Sequence, residues 1–287
     1  MGPVKIDNNE FKLIGDYIEK HCGIRLKEDK MYLVESRLMP LMVESGCRDF
    51  TSFYYKALAD KSNYLRDKIV DAMTTNETLW FRDGQSFKIF NEKILDELIS
   101  ENPSEPIHIW SAACSTGQEP YSLAIAILEA SKRDYKVKPE RFKILATDIS
   151  PTVLFLANTG RYDSFAMSRG MDPAIKERYF YPDGKIWLLK NDVKKLVTFK
   201  KFNLQENFSS LGKFNFILCR NVLIYFSEEF KKDILKRIAR QLKPPGYLML
   251  GSSESLINYS EEFVMKRHNG SLFYQLKTMS AVNGVKQ

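Results

Sequence analysis

The chain has 287 residues, 44% of them hydrophobic, 13% aromatic and 28% charged. At about 150 residues per domain this is enough for two domains with real apolar cores, which excludes a disordered tail protein. Lys and Arg number 43 against 36 Asp and Glu, a formal charge of +7; the excess fits plain solubility, and equally an acidic partner such as nucleic acid, an anionic membrane or an acidic protein surface. No run of about 18 apolar residues is present, so membrane insertion is not expected. Met1 to Glu10 carries no apolar stretch of the kind a secretory signal needs. The four cysteines form no C-x-x-C pair, and none of the three histidines stands at ligand spacing to one. Neither a structural zinc nor any other metal is expected, and a reduced, cytosolic interior is the plain reading.

Residues 1–75 read as an all-α domain. Phe11, Ile14, Ile18 and Cys22 recur at helical spacing, with Gly23 placed to stop the helix. Met31 to Val43 sets Leu33, Val34, Leu38, Leu41 and Met42 on a broad apolar stripe, and Pro40 is expected to kink or end that helix. Phe50 to Tyr54 begins a third helix and Tyr64 to Met73 forms a fourth. Residues 76–90 join this domain to the rest.

From residue 91 the pattern changes. A helix over 86–99 is broken by Pro103 and Pro106, and Ile107 to Ala113 then reads as a buried strand. Small residues, Cys114-Ser115-Thr116-Gly117, lead into a helix opened by Pro120, a first-turn position that suits proline. Phe142 to Thr147 is a second strand, ending at Asp148, so the unit is β-α-β and belongs to a parallel sheet. A small antiparallel insertion is expected over about 160–196, around the turn Pro182-Asp183-Gly184. Phe214 to Cys219 is a strand, and Ser227 caps a helix to Leu242. Pro244-Pro245-Gly246 is expected to turn into the strand Tyr247 to Leu250, and Asn269-Gly270 marks a closing hairpin between 263–267 and 271–276. An α/β sheet finished by such a hairpin resembles the class I methyltransferase fold.

Four segments offer chemistry. The loop after the first strand, Ser111 to Pro120, lies where open α/β sheets bind ligands, although its single glycine fits neither G-x-G-x-x-G nor a P-loop. Glu119 there either binds a ligand or complements the helix dipole. Asp148 at the second strand's tip either accepts ribose hydroxyls or caps the following helix; Ser150 can take the cap instead, leaving Asp148 free. Thr74 to Arg82 spans the seam between domains, where ligand sites are common. Cys219 to Phe226 places polar groups just beyond a strand, with Tyr225 also readable as a core tyrosine with a wet hydroxyl.

Together and in this order, T-T-N-E-T-L-W-F-R, S-A-A-C-S-T-G-Q-E-P-Y-S, A-T-D-I-S and C-R-N-V-L-I-Y-F closely resemble the chemotaxis receptor glutamate methyltransferases, the CheR family. The resemblance runs from about residue 8 to 277 and covers the helical domain and the insertion. It implies a Rossmann-like S-adenosylmethionine-dependent methyltransferase domain over 91–287 that esterifies glutamate side chains on chemoreceptor cytoplasmic helices and releases S-adenosylhomocysteine. By matching motifs, Asn76, Thr78 and Arg82 would line the cofactor and substrate seam, Glu119 the cofactor pocket, and Asp148 the ribose. Asn203 and Leu204 would flank the adenine, Arg220 and Asn221 would stand near the methionine end, and Arg82 and Tyr225 would face the transferable methyl. Lys27, Lys30, Arg37 and Arg48, in or beside the second helix, would read an acidic receptor by charge.

Gln118 replaces a glutamate of the best-known pattern, a change the site tolerates if Glu119 is the binding carboxylate. The turn at 182–184 is shorter than in relatives that dock on a receptor's C-terminal pentapeptide, which argues against such tethering. A monomer in a bacterial cytoplasm is expected. The rival readings are a nucleic-acid methyltransferase and a non-catalytic chemosensory adaptor. The first is disfavoured by the missing Asn-Pro-Pro-Tyr-type motif and the absence of a dense Lys/Arg block, the second by intact Glu119, Asp148 and Asn221.

Overall fold

The computed structural model describes residues 5–278; the outer ends of the two expected domains lie outside them. The helical domain begins with α1 (Asn8–Cys22), where Asp7 and Glu10 form a reciprocal capping box and Gly23 terminates the helix at φ 76°. Next come α2 (Met31–Glu44), α3 (Phe50–Ala59) and α4 (Tyr64–Met73). Pro40 neither ends nor splits α2. It sits on the exposed side, where the lost backbone hydrogen bond matters least, while Val34, Leu38 and Met42 stay buried. These three pack with Ile14, Ile18, Phe50, Phe53 and Ile69 into one core.

A continuous helical rod follows: α5 (Gly84–Ile89), a π-helical turn (Phe90–Ile94) and α6 (Leu95–Glu101). The α/β unit then runs β1 (Ile107–Ala112), α7 (Gln118–Ser131), β2 (Phe142–Asp148), α8 (Pro151–Thr159), β3 (Arg161–Asp163), α9 (Ser164–Ser168), α10 (Pro173–Tyr179), β4 (Phe180–Asp183), β5 (Ile186–Leu189), α11 (Asn191–Lys194) and β6 (Val197–Lys201). It finishes with β7 (Phe214–Cys219), α12 (Glu228–Gln241), β8 (Leu242–Leu250), β9 (Phe263–His268) and β10 (Ser271–Leu276).

The main sheet has the order β6-β2-β1-β7-β8-β10-β9. Its first five strands are parallel, and β9 and β10 are antiparallel. Its central strands β1 and β7 are almost wholly buried, as the continuous apolar runs required. Two outcomes differ from expectation. The edge strand β6 has no counterpart among the expected strands, because Thr198, Lys200 and Lys201 face solvent and dilute its apolar pattern. The Pro244-Pro245-Gly246 segment is not a turn before β8 but part of it, at a register shift opposite Phe214 and Phe216 that leaves prolines unpaired without breaking the strand.

The insertion is a three-stranded antiparallel sheet, β3-β5-β4, flanked by α9 and α10. It is clasped to the interdomain segment: the Trp80 amide donates to the Arg169 carbonyl at 3.0 Å. Gly170, at φ +85°, has no room for a side chain, since a Cβ would stand 2.1 Å from the Trp80 carbonyl oxygen. Gly170→Ala is therefore expected to lower the unfolding free energy by about 2–3 kcal/mol in urea denaturation, from strained backbone plus an unyielding contact. Gly184→Ala, also at positive φ but with nothing within 4 Å, is expected to cost only about 1 kcal/mol.

Candidate functional site

The carboxyl ends of β1, β2 and β7 meet the helical domain in one cleft. The loop after β1 turns sharply, with Ala113 at φ 57°, Ser115 at φ 51° and Gly117 at φ 90°. Only the last is a glycine, so this backbone is held by its partners. The Ser115 amide donates to Asp148 Oδ2 at 2.8 Å, and Ser115 Oγ donates to the Asn76 carbonyl at 2.8 Å. Asp148 also accepts from the Ser150 amide at 3.0 Å. Ser150, not Asp148, caps α8, its side chain accepting from the Val153 amide. Burial pushes the Asp148 carboxyl above its ordinary value, and the backbone amides of Ser150 and Ser115 oppose that rise.

Glu119 lies in the first turn of α7, where its charge complements the helix dipole, and makes no capping hydrogen bond. Ser111 Oγ donates to its Oε1 at 2.7 Å and Arg220 Nη1 to its Oε2 at 2.8 Å. Arg220 Nη2 donates to Asp83 Oδ2 at 2.9 Å and to the Arg82 carbonyl at 2.7 Å. The Arg220 side chain is 1% exposed. A cation so buried persists only with such partners. Its Nε, also buried, has no hydrogen-bond partner.

Past Arg220 the chain turns through Asn221 at φ 57°. Glu254, on the segment leaving β8, gathers this turn: its carboxylate accepts from the amides of Asn221 at 2.7 Å, Val222 at 3.1 Å, Leu223 at 2.9 Å and Gly251 at 2.9 Å. The helical domain closes the other side. The Arg25 amide donates to the Tyr225 carbonyl at 2.9 Å, and Ile24 bridges Phe226 in antiparallel fashion.

The ten residues expected at the cofactor and methyl-transfer positions, Asn76, Thr78, Arg82, Glu119, Asp148, Asn203, Leu204, Arg220, Asn221 and Tyr225, all line this cleft. Asn203 additionally ties the domains, Nδ2 donating to the His21 carbonyl at 2.8 Å. Lys27, Lys30, Arg37 and Arg48 lie outside the lining. Lys30 pairs with neighbouring Asp29 at 3.1 Å. Arg37 is not a free surface charge: its guanidinium donates to the carbonyls of Met73 at 2.9 Å and Thr74 at 3.1 Å, bracing the segment that enters the cleft wall. Sequence reasoning missed Cys22, Ile24, Asp83 and Glu254. For Glu254 a signal existed, an acid a few residues beyond the carboxyl end of a strand. The thiols of Cys22 and Cys114, one from each domain, line the cleft but are buried, and burial raises both, Cys22 to about 11.

A nucleoside with an amino-acid tail requires an acceptor for two ribose hydroxyls, apolar walls for the base and polar groups at the far end. The cleft offers the Asp148 carboxylate as an acceptor, Ile149, Phe202 and Leu204 as apolar walls, and an unpaired buried N–H on Arg220. The residues fit S-adenosylmethionine.

Glu254→Gln places an amide group against two N–H donors. It is expected to destabilise the fold by about 2 kcal/mol or more. Hydrogen exchange should quicken at the amides of 221–223 before it does in the central strands.

Residues 9–74 match the family model "CheR methyltransferase, all-alpha domain", and residues 76–270 match "CheR methyltransferase, SAM binding domain". "Chemotaxis protein methyltransferase Cher2" of Pseudomonas putida is 44% identical over 271 residues, covering 94% of this chain and 98% of that protein. "Chemotaxis protein methyltransferase 1" of Pseudomonas aeruginosa has the same identity and coverage. "Chemotaxis protein methyltransferase" of Vibrio parahaemolyticus is 42% identical over 279 residues, 96% of this chain and all of that protein. With both domains matched and the cleft built between them, the chain belongs to the CheR family of S-adenosylmethionine-dependent methyltransferases.

Proposed function

We propose that this methyltransferase esterifies glutamate side chains on the cytoplasmic helices of chemoreceptors. The observation that carries the reading is the full-length likeness to proteins named chemotaxis protein methyltransferases, over both domains. When bound, S-adenosylmethionine supplies an electrophilic methyl on a sulfonium sulfur. The acceptor needs no general base: a glutamate carboxyl of pKa about 4.3 is already an anion at neutral pH. Its oxygen forms the new O–CH3 bond as the S–CH3 bond breaks, and opposite charges cancel along the path. The chain's task is positioning and exclusion of water. Arg82, whose Nη1 donates to the Glu77 carbonyl at 2.9 Å, leaves further N–H groups to align the carboxylate. Tyr225, in the same lining, offers a second contact. Asp148, Asn203 and Leu204 hold the nucleoside, and Asn221 with Arg220 holds the methionine end.

The β4–β5 turn holds only Gly184 and Lys185, which supports recognition without pentapeptide tethering. Lys27, Lys30 and Arg48 remain as surface charges for steering toward acidic receptor helices. Among the described residues no helix is long and apolar enough to cross a membrane. The reading includes a monomer working in the bacterial cytoplasm.

Labelled S-adenosylmethionine incubated with membranes bearing the organism's own receptors should label the receptors, and mild base should release the label as an ester does. Label stable to base, or carried by RNA or DNA, would overturn the reading. Arg82→Ala should keep its affinity for S-adenosylhomocysteine and lose at least about tenfold in turnover; near-normal turnover would make Arg82 a linker residue.

Asp148 also sets a pH dependence. Its folded value is raised above 3.8 by burial. Protonation weakens it as an acceptor, so S-adenosylhomocysteine affinity should fall on acidification at pH above 3.8, an earlier loss than an ordinary aspartate gives. Its effect on folding has the opposite sign: the buried charge disfavours the fold at neutral pH, and that penalty eases as pH drops through the raised value. Calorimetric titrations carried from neutral pH down towards the ordinary carboxylate range should show the decline in the wild type and not in Asp148→Ala.

A further inference from the structure

Arg169 stands between α9 and Gly170, where the insertion is clasped to the interdomain segment. Its backbone is fixed by the Trp80 amide and by the tight packing of Gly170 on the Trp80 carbonyl. The clasp therefore does not need the side chain. The guanidinium instead meets the carboxylate of Glu77, Nη2 to Oε1 at 2.6 Å, with the Glu77 side chain 61% exposed. Glu77 lines the cleft, so this pair lies on its rim, one residue from Thr78 and bonded through its carbonyl to Arg82. Phe165 lies beside it, its ring 5.6 Å from the guanidinium carbon and 70% exposed.

These features make an exchangeable contact. The Arg220 pairs are sealed from water and cannot trade partners cheaply. The Arg169–Glu77 pair is partly open, with side chains 31% and 61% exposed, so breaking it costs little beside what the guanidinium gains from a carboxylate that docking shields from water. Resting on the proposed function above, we propose that Arg169 reads the acceptor. An acidic side chain flanking the target glutamate displaces Glu77 from the guanidinium, and Phe165 receives an adjoining apolar residue of the same helix. Glu77 is an internal stand-in for the acceptor's acid. The balance of affinities for Glu77 and for that acid sets specificity.

A purely structural ion pair and an exchanging one differ in sign. Receptor methylation kinetics and S-adenosylhomocysteine affinity are measured for wild type, Arg169→Gln, Glu77→Gln and the double variant, using receptor-bearing membranes as acceptor. Arg169→Gln should raise the receptor KM about fivefold, with kcat and S-adenosylhomocysteine affinity within about twofold. Glu77→Gln should lower the receptor KM about two- to threefold, because the internal competitor is gone. The double variant should match Arg169→Gln, since the gain needs the guanidinium. A Glu77→Gln variant with raised or unchanged KM overturns the proposal, as does an Arg169→Gln variant with normal KM or a loss of S-adenosylhomocysteine affinity in either. If the wild type methylates no receptor, the parent reading fails instead and takes this one with it.

Discussion

Everything in the cleft is referred to one buried cation. Arg220 leaves the end of β7 and reaches Glu119 at the start of α7, Asp83 before α5 and the Arg82 carbonyl. Three elements far apart in sequence thereby converge on one guanidinium. Burying these charges costs several kcal/mol for each ion before pairing. The arrangement stands because both carboxylates have further donors, Ser111 Oγ on Glu119 and the Ser252 amide on Asp83. Such a network is poor at adding stability and good at fixing geometry, which is what methyl transfer without acid–base catalysis requires.

Around that centre the cleft is a composite of parts that are individually incomplete. The sheet provides Asp148 and the turn held by Glu254. The helical domain provides Cys22, Ile24 and the pairing of Ile24–Arg25 with Tyr225–Phe226. Further ties keep the halves in register: Thr152 Oγ1 donates to Asp71 at 2.8 Å, and Lys201 pairs with Asp67 at 2.7 Å. These outer pairs are partly exposed and individually weak, so registration rests on their number and on the apolar seam.

Much of this was legible in the sequence, and the limits were physical. The central strands announced themselves because burial on both faces demands unbroken apolar runs, and Asn269-Gly270 because few other pairs suit that hairpin turn. Asp148 was readable as free once Ser150 was seen to be able to cap α8. The cleft residues themselves came from motif order rather than from periodicity. What escaped were contacts whose partners lie far along the chain. Glu254 serves amides some thirty residues earlier, and Arg37 serves carbonyls at Met73 and Thr74. An arginine on an amphipathic helix looks the same whether it faces solvent or braces a neighbouring backbone. Strand β6 escaped because an edge strand is free to be polar.

The two cleft thiols carry a consequence of another kind. Cys22 belongs to the helical domain and Cys114 to the sheet, and both are free, buried and held protonated by burial. While the halves stay closed, neither presents a thiolate to an alkylating reagent. Cys22 packs within the helical core and Cys114 against Ala146 and Leu154 within the sheet domain, so each sulfur is released when its own half loosens, and the molecule contains a separate clock for each. The rate at which each cysteine is blocked counts the openings of its own half, and a ligand that binds both cleft walls would slow both clocks.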